Sequence, residues 1–116
     1  MDISMKKLLY TAFAFVLAAA GAAQAGNPEA GREKSRTCAA CHGVDGNSAA
    51  ADFPKLAGQH ADYLVKSLRD YKTGKRKNPI MAPLAANLTQ RDMEDLAAYY
   101  SQQSGLLMRR NPYLIQ

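Results

Sequence analysis

Two segments of the chain place apolar residues at the three- and four-residue spacing of an amphipathic helix. Residues 58–74 carry a stripe that ends at Gly74, a residue type that commonly follows the last helical turn. Residues 88–105 carry a second stripe after Thr89, which forms a capping-box pattern with Asp92. The two stripes consist of Tyr63, Leu64, Ser67, Leu68 and Tyr71, and of Met93, Leu96, Ala97 and Tyr100. Each segment is predicted to be a helix with one buried face.

A third helix is predicted to run from Asn27 to about Ala40. Asn27 suits the N-cap, Pro28 suits the first helical position, and Glu29 lies near the positive end of the helix dipole. Strands are not expected, because polar–apolar alternation is almost absent and only two Val and two Ile follow residue 25. The predicted fold is therefore all-α, with three main helices.

Two long connections separate these helices, at residues 43–58 and 75–87, and together they hold three Gly, three Pro and three Asn. Connections of this length are unusual in a small domain unless something organises them. The pattern predicts a few helices and two loops arranged around a bound group that completes the core.

The N-terminal segment has the order of a secretory signal peptide: basic Lys6 and Lys7, an apolar run, and small residues at Ala23 and Ala25. We expect cleavage after Ala25, which divides the chain into a signal peptide, 1–25, and one domain, 26–116. The alternative is an uncleaved membrane anchor. The apolar run is short for a transmembrane helix, and we expect no stable membrane insertion after cleavage.

The net charge of the chain argues against a nucleic-acid-binding function. The chain has 116 residues, 15 Lys and Arg and 10 Asp and Glu, for a formal net charge of +5. This excess is mild and includes no long block of basic residues, so binding to nucleic acid is not expected. An export signal places the domain in the periplasm, which argues against nucleic acid as well.

Both cysteines and one of the two histidines lie together in "RTCAACHGVDG", residues 36–46. Such a cluster suits a redox dithiol, a zinc site or a covalently attached haem. A dithiol of the thioredoxin type needs strands that this chain lacks. A closed zinc site usually needs two separated ligand pairs, whereas here only Cys38, Cys41, His42 and His60 are available.

Covalent haem attachment fits the cluster best, because Cys-x-x-Cys-His is the attachment pattern of c-type haem. On a helix end, Cys38 and Cys41 lie on one face, ~5–6 Å apart at Cβ, and can meet two vinyl groups along one side of a porphyrin. His42 follows directly and is placed to bind the iron.

Five segments of the chain occur in the order found in class I cytochromes c, namely "CAACHGVDGNS", "FPKLAGQ", "YL", "MAPLAANLT" and "DLAAYY". Over about residues 31–103 the chain resembles small bacterial periplasmic monohaem cytochromes and one half of dihaem cytochrome c4. The resemblance implies one haem c enclosed by an N-terminal, a middle and a C-terminal helix.

The second axial ligand of the iron has four candidates in the sequence. Met93 lies on the apolar stripe and is expected to pack in the core, Met108 lies in a basic tail, and His60 is expected to face solvent. Met81 lies in a predicted loop between two prolines that stiffen the chain, as a buried sulfur–iron bond requires. The family places its methionine ligand in such a segment, so Met81 is the predicted ligand; a packing methionine is the alternative.

The resemblance also implies the residues around the haem. Pro54 lies twelve residues after His42 and matches the family proline whose carbonyl accepts a hydrogen bond from the haem histidine; a simple turn proline is the alternative. Tyr63, Leu64 and Leu68 would line the haem pocket. Gly31 would allow close packing on the last helix, against Leu96, Tyr99 or Tyr100.

The predicted function is electron transfer by a monomeric periplasmic carrier, not catalysis, because His/Met ligation leaves no open position on the iron. The alternatives are an electron-entry subunit of a larger oxidoreductase, and a haem peroxidase or gas sensor with a labile sixth ligand. Its partners would be redox proteins. The basic run from Lys72 to Lys77 is either a solvated loop or a docking rim for an acidic partner.

Overall fold

The computed structural model describes residues 2–5 and 25–105. Within residues 25–105 the helices are α1 (Pro28–Lys34), α2 (Ala39–His42), α3 (Ala61–Thr73), α4 (Met81–Ala85) and α5 (Gln90–Ser101), with a 3-10 helix (Ser35–Thr37) between α1 and α2. The described residues contain no strand, so the all-α prediction is confirmed.

None of the helices in the described part of the chain combines the length and the apolar character needed to cross a membrane. The predicted signal peptide falls almost entirely on residues 1–24, of which only 2–5 are described. Its cleavage after Ala25 stays a prediction.

The N-terminal helix begins as predicted but does not continue to Ala40. Asn27 caps it with a side-chain oxygen that accepts hydrogen bonds from two backbone N–H groups. The helix ends at Lys34, where the buried Ser35 hydroxyl donates to Arg32 O at 2.8 Å. Because a serine side chain competes for backbone groups, the chain tightens into a 3-10 turn before it reaches the Cys-x-x-Cys-His cluster.

Helix α3 lies within its predicted segment, whereas α5 ends at Ser101, before the predicted end at Gly105. Gly74 adopts the left-handed conformation after α3, with φ 77°, and the capping box between Thr89 and Asp92 is present at α5. The stripe of α5 is buried as predicted. The stripe of α3 is not buried along its whole length, as had been predicted: Leu64 is buried, whereas Tyr63 is 49 % exposed. This stripe lines a cavity, although Leu64 and Leu68 also pack against residues of α5.

The N-terminal and C-terminal helices cross at Gly31, where their backbones nearly touch. A Cβ atom on Gly31 would lie 1.9 Å from Asp95 O and 2.9 Å from Tyr99 Cβ. Of the three contacts predicted for Gly31, the structure confirms Tyr99 and adds the backbone of Asp95. Only a residue without a side chain fits this crossing.

A buried carboxylate holds the same crossing together. Asp95 is 2 % exposed and accepts hydrogen bonds from Asn27 N at 2.7 Å and from Lys34 Nζ at 2.6 Å. Arg91 Nε lies 3.1 Å from Asp95 Oδ1, the oxygen that also accepts from Asn27 N, and Lys34 also pairs with Asp92 at 2.8 Å. Burial raises the pKa of Asp95, but the hydrogen bonds and the two cations outweigh burial, and the pKa lies below its usual value.

We expect Gly31→Ala to lower the free energy of unfolding of the haem-loaded protein by about 3 kcal/mol or more, because the added Cβ separates α1 from α5. Gly74→Ala is the matched control. Its Cβ would meet no atom within 4 Å, so only the left-handed backbone conformation is penalised, by about 1 kcal/mol. Denaturant titration measures both, and equal losses would contradict the close helix contact.

We expect Asp92→Asn to change how stability depends on pH. The hydrogen-bonded ion pair with Lys34, and next the hydrogen bonds with Thr89, lower the pKa of Asp92 from 3.8 to about 2. A lowered pKa contributes stability that is complete above about pH 4 and is lost as the pH falls through 2. The variant should therefore be less stable than the unsubstituted protein by about 1 kcal/mol at neutral pH, and most of the difference should be lost at pH 2.

Asp62→Asn is the control for this measurement, since Asp62 is exposed and forms no ion pair within the described residues. Its unfolding profile between neutral pH and pH 2 should stay close to that of the unsubstituted protein. An Asp92→Asn difference that persists at pH 2 would show that the ion pair is not its cause.

Candidate functional site

The Cys-x-x-Cys-His cluster forms a single helical turn. Cys38 lies at the N-cap of α2, and its carbonyl accepts hydrogen bonds from the N–H groups of Cys41, at 3.2 Å, and His42, at 2.9 Å. Gly43 ends the turn with φ 81°. Both cysteines are half-buried free thiols. The turn therefore carries two thiols and an imidazole, and all three side chains line one cavity.

One nitrogen of His42 is held by a backbone carbonyl. His42 is 6 % exposed, and its Nδ1 lies 2.8 Å from Pro54 O. A carbonyl oxygen only accepts, so Nδ1 carries the hydrogen and donates it. This leaves Nε2 as the nitrogen with a free lone pair, the form that binds a metal.

The segment that carries Pro54 is fixed in turn by Ser48, a residue that the sequence analysis did not select. The Ser48 hydroxyl is buried and donates to Phe53 O, the carbonyl directly before Pro54. A serine in an irregular segment has no periodic pattern to mark it, so only the fold reveals this role.

The connection between α2 and α3, residues 43–60, is anchored to the C-terminal helix. The Tyr99 hydroxyl donates to Val44 O at 2.8 Å, and Gly58 N donates to Tyr100 O at 2.9 Å. These hydrogen bonds join both ends of the connection to α5. The position of Pro54 relative to His42 thus depends on the C-terminal helix.

Met81 was predicted to lie in a loop, and this prediction is wrong. In the structure, Met81 is the first residue of the short helix α4. The Asn78 side-chain oxygen accepts hydrogen bonds from Ile80 N and Met81 N, both at 2.9 Å, and this starts the turn. The sequence did not indicate a helix here because α4 has only five residues and contains Pro83. Pro83 is in the first turn, where its missing N–H costs nothing.

The other candidate ligands lie elsewhere. His42 lines a large cavity between the helices. Met93 is 2 % exposed on α5 and does not line this cavity. His60 is exposed at the N-cap of α3 and does not line it either. Met108 falls outside the described residues. Of the three candidates within the described residues, Met81 is the one that lines the cavity.

A cavity of about 700 Å³ lies between the helices and both connections, within the ~300–1,000 Å³ typical of cofactor sites. All the residues selected from the sequence as site residues line it. They are Cys38, Cys41, His42, Pro54, Tyr63, Leu64, Leu68 and Met81. The wall is completed by apolar residues of α4 and α5, including Leu84, Ala85, Leu96 and Ala97.

One polar group in the cavity wall lacks a partner. Among the described residues, none forms a hydrogen bond with the buried Tyr100 hydroxyl. Burial, and next the neighbouring Cys38, raise the pKa of Tyr100, so its phenol stays protonated. The cavity is thus mainly apolar, with a neutral donor and a few charged side chains among its lining residues.

The residues around this cavity fit a covalent haem. Two thiols, an imidazole and a thioether sulfur meet one large apolar space, and soft sulfur and imidazole ligands suit iron in a haem. The described residues contain no group of three or more His, Cys, Asp or Glu side chains arranged to hold a metal ion directly.

A helical domain with Cys-x-x-Cys-His at the wall of an apolar cavity defines a c-type haem protein. Residues 28–104 match the family model for cytochrome c. The chain therefore belongs to the cytochrome c family, and its cofactor is haem c, attached through the Cys-x-x-Cys-His motif.

Known proteins support this assignment. The chain is 46 % identical over 91 residues to cytochrome c4 of Pseudomonas aeruginosa, covering 78 % of this chain and 45 % of that protein. It is 52 % identical over 62 residues to a thiosulfate dehydrogenase electron acceptor of Stutzerimonas stutzeri, covering 53 % and 29 %. The chain spans about half the length of the cytochromes c4 it matches.

The fold matches a solved structure as well. The crystal structure of reduced recombinant cytochrome c4 from Pseudomonas stutzeri superposes with a TM-score of 0.67 and 48 % sequence identity. The match covers 71 % of this chain and 48 % of that one. The described domain is therefore similar to one half of cytochrome c4, as the sequence motifs indicated.

Proposed function

We propose that this chain is an electron-transfer protein that carries one electron on a haem bonded to Cys38 and Cys41, with His42 and Met81 as the axial ligands. The observation that carries the proposal is that these four side chains, from two separate helices, line one apolar cavity. The bound haem would supply an iron that changes between the ferrous and ferric states. The protein encloses it and sets its potential.

His42 acts as the first ligand through Nε2, while Pro54 O holds Nδ1–H. Such a hydrogen bond fixes the tautomer and the ring orientation of a ligating histidine. Ser48 assists by fixing the peptide before Pro54. The imidazole that would bind the iron is therefore held in one orientation by the protein itself.

Met81 closes the other axial position. Asn78 holds the backbone N–H of Met81, so the sulfur is carried on a defined turn rather than on a free loop. A thioether ligand raises the reduction potential, and an apolar wall acts in the same direction by disfavouring the extra charge of ferric iron. With both positions closed, the protein is a carrier and not a catalyst.

The comparisons support the same conclusion. Cytochrome c family membership and a relative described as an electron acceptor both favour exchange of single electrons with other redox proteins. We propose that the chain acts as a monomer with separate donor and acceptor proteins.

We expect Met81→Ala to abolish the sulfur-to-iron charge-transfer band of the ferric protein and to lower the reduction potential. The loss should exceed ~100 mV, because axial ligands set potentials over a range of ~0.8 V. Visible spectroscopy and redox titration measure the two effects.

Met93→Leu is the matched control, since Met93 is buried in α5 and does not line the cavity. It should keep both the band and the potential. An unchanged low-spin spectrum in Met81→Ala would show that Met81 is not the ligand. The alternative of a labile sixth position would then have to be tested.

We also propose that the basic segment from Lys72 to Lys77 forms a docking rim for acidic redox partners. Its lysines are exposed, and the segment leads directly into α4, which carries Met81. Lys75 and Lys77 do not line the cavity, so their charges face the surroundings of the site rather than its interior. Opposite charges at such a rim steer brief encounters.

The double variant Lys75→Glu, Lys77→Glu should slow oxidation of the reduced protein by the anion ferricyanide about tenfold at low ionic strength, and should speed oxidation by a cationic cobalt complex. Arg32→Glu, Arg36→Glu on the N-terminal side is the matched control, because neither arginine lines the cavity. Stopped-flow mixing measures the rates. Equal effects of the two double variants would exclude a localised rim.

We propose that residues 1–25 direct export and that the mature carrier works in the periplasm. The basic, apolar and small segments of the N-terminus support this proposal. N-terminal sequencing of the protein from the periplasmic fraction should begin at Gly26. A chain that begins at Met1 and sediments with membranes would contradict both cleavage and release.

A further inference from the structure

Tyr100 carries a buried hydroxyl that the proposed electron-transfer site leaves unused. The side chain is 3 % exposed and lines the cavity, and its hydroxyl has no hydrogen-bond partner among the described residues. The neighbouring Tyr99 does not line the cavity, and its hydroxyl donates to Val44 O. A buried hydroxyl without a partner costs free energy, so folded proteins nearly always supply one. The partner of Tyr100 is therefore expected among the groups that meet in this cavity.

The ring of Tyr100 is held on several sides and cannot turn towards a partner elsewhere. Its carbonyl, at the end of α5, accepts hydrogen bonds from Gly58 N at 2.9 Å and from Gln103 N at 3.1 Å. The ring lies directly against Gly46, where a Cβ atom would come 2.8 Å from Tyr100 Cδ1. The ring of Tyr99 packs on it with a centroid distance of 5.1 Å. The hydroxyl therefore has a fixed position in the cavity wall.

Two polar side chains lie close to this hydroxyl, those of Ser35 and Cys38. Ser35 is buried in the 3-10 helix, and its hydroxyl is held by Arg32 O at 2.8 Å, so it is not free to approach Tyr100. Cys38 packs against the core cluster that contains Tyr100, and its side chain can turn about the Cα–Cβ bond. Cys38 also lines the cavity, and its sulfur is the atom that bonds to the haem. Cys38 is therefore the neighbour that can reach the hydroxyl.

Attachment of a haem changes what the sulfur of Cys38 can bind. The thiol adds across a vinyl group: a carbon–sulfur bond forms, the S–H bond breaks, and the hydrogen goes to the other vinyl carbon. The resulting thioether sulfur has no hydrogen, so it can only accept a hydrogen bond. The phenol of Tyr100 stays protonated and has a hydrogen to donate. The two groups thus become complementary once the haem is attached.

We propose that, in the haem-loaded protein, the Tyr100 hydroxyl donates a hydrogen bond to the thioether sulfur of Cys38. Tyr100 is then a positioning residue that holds one of the two attachment points of the haem against α5. The donated hydrogen carries a partial positive charge beside the haem, which favours ferrous iron and raises the reduction potential. The inference rests on the proposed haem site in this cavity.

Proton NMR of the ferrous, haem-loaded protein tests the hydrogen bond directly. We expect a slowly exchanging hydroxyl proton of Tyr100, with nuclear Overhauser effects to the β-protons of Cys38 and none to those of Cys41. A hydroxyl proton that exchanges rapidly with water, or that contacts Ser35 in place of Cys38, would overturn the proposal. The measurement uses the unsubstituted protein, so it remains decisive even where a variant does not assemble.

Tyr100→Phe and Tyr99→Phe form a matched pair, because each removes one hydroxyl from α5. Tyr99→Phe loses the hydrogen bond to Val44 O, and its unfolding equilibrium constant should rise about fivefold. We expect Tyr100→Phe to raise the constant as much, and to lower the midpoint potential more than Tyr99→Phe, since Tyr100 is the one of the two that lines the cavity.

A fall in the unfolding constant of Tyr100→Phe would show that its hydroxyl has no partner in the haem-loaded protein, and would overturn the proposal. Equal midpoint potentials in the two variants would overturn it as well. A failure of the haem site itself is distinguishable, because the unsubstituted protein would then show no spectrum of a covalently attached haem.

Discussion

The close contact of α1 with α5 at Gly31 is the constraint on which the rest of the structure depends. Two backbones that nearly touch leave no room for adjustment, and the buried Asp95 fixes their relative position by accepting hydrogen bonds from the start of α1 and from Lys34. Helix α5 then anchors the connection after α2 through Tyr99 and Tyr100. The helix crossing, although it lies outside the cavity, thus determines where the histidine and its carbonyl partner meet.

The cavity explains why so small a domain has a modest core of its own. The buried hydrophobic cluster contains Leu64 and residues of α5, and much of the remaining apolar surface of α3 and α4 faces the cavity. A haem bonded to the chain at two points fills this space and acts as the centre of the core. Binding and folding are therefore coupled, and the groups that hold the cofactor also contribute to stability.

The sequence predicted the parts of this structure that depend on local patterns. Helices α3 and α5 could be predicted because the apolar residues of each recur at helical spacing on one face. Their ends could be predicted from Gly74, which follows α3, and from the capping box of Thr89 and Asp92 at the start of α5. The hydrogen bond between His42 and Pro54 was implied by the family resemblance, and the structure contains it.

The break at Ser35, the helical turn at Met81 and the role of Ser48 were not predicted. Each depends on a local hydrogen bond between a side chain and the backbone three to five residues away, and such a bond leaves no periodic pattern in the sequence.

The central claim is that Cys38 and Cys41 hold the haem covalently in the cavity. The most direct measurement is the visible spectrum of the polypeptide after acid–acetone extraction. The account predicts that the haem stays with the polypeptide; a colourless polypeptide with free haem in the solvent would contradict it.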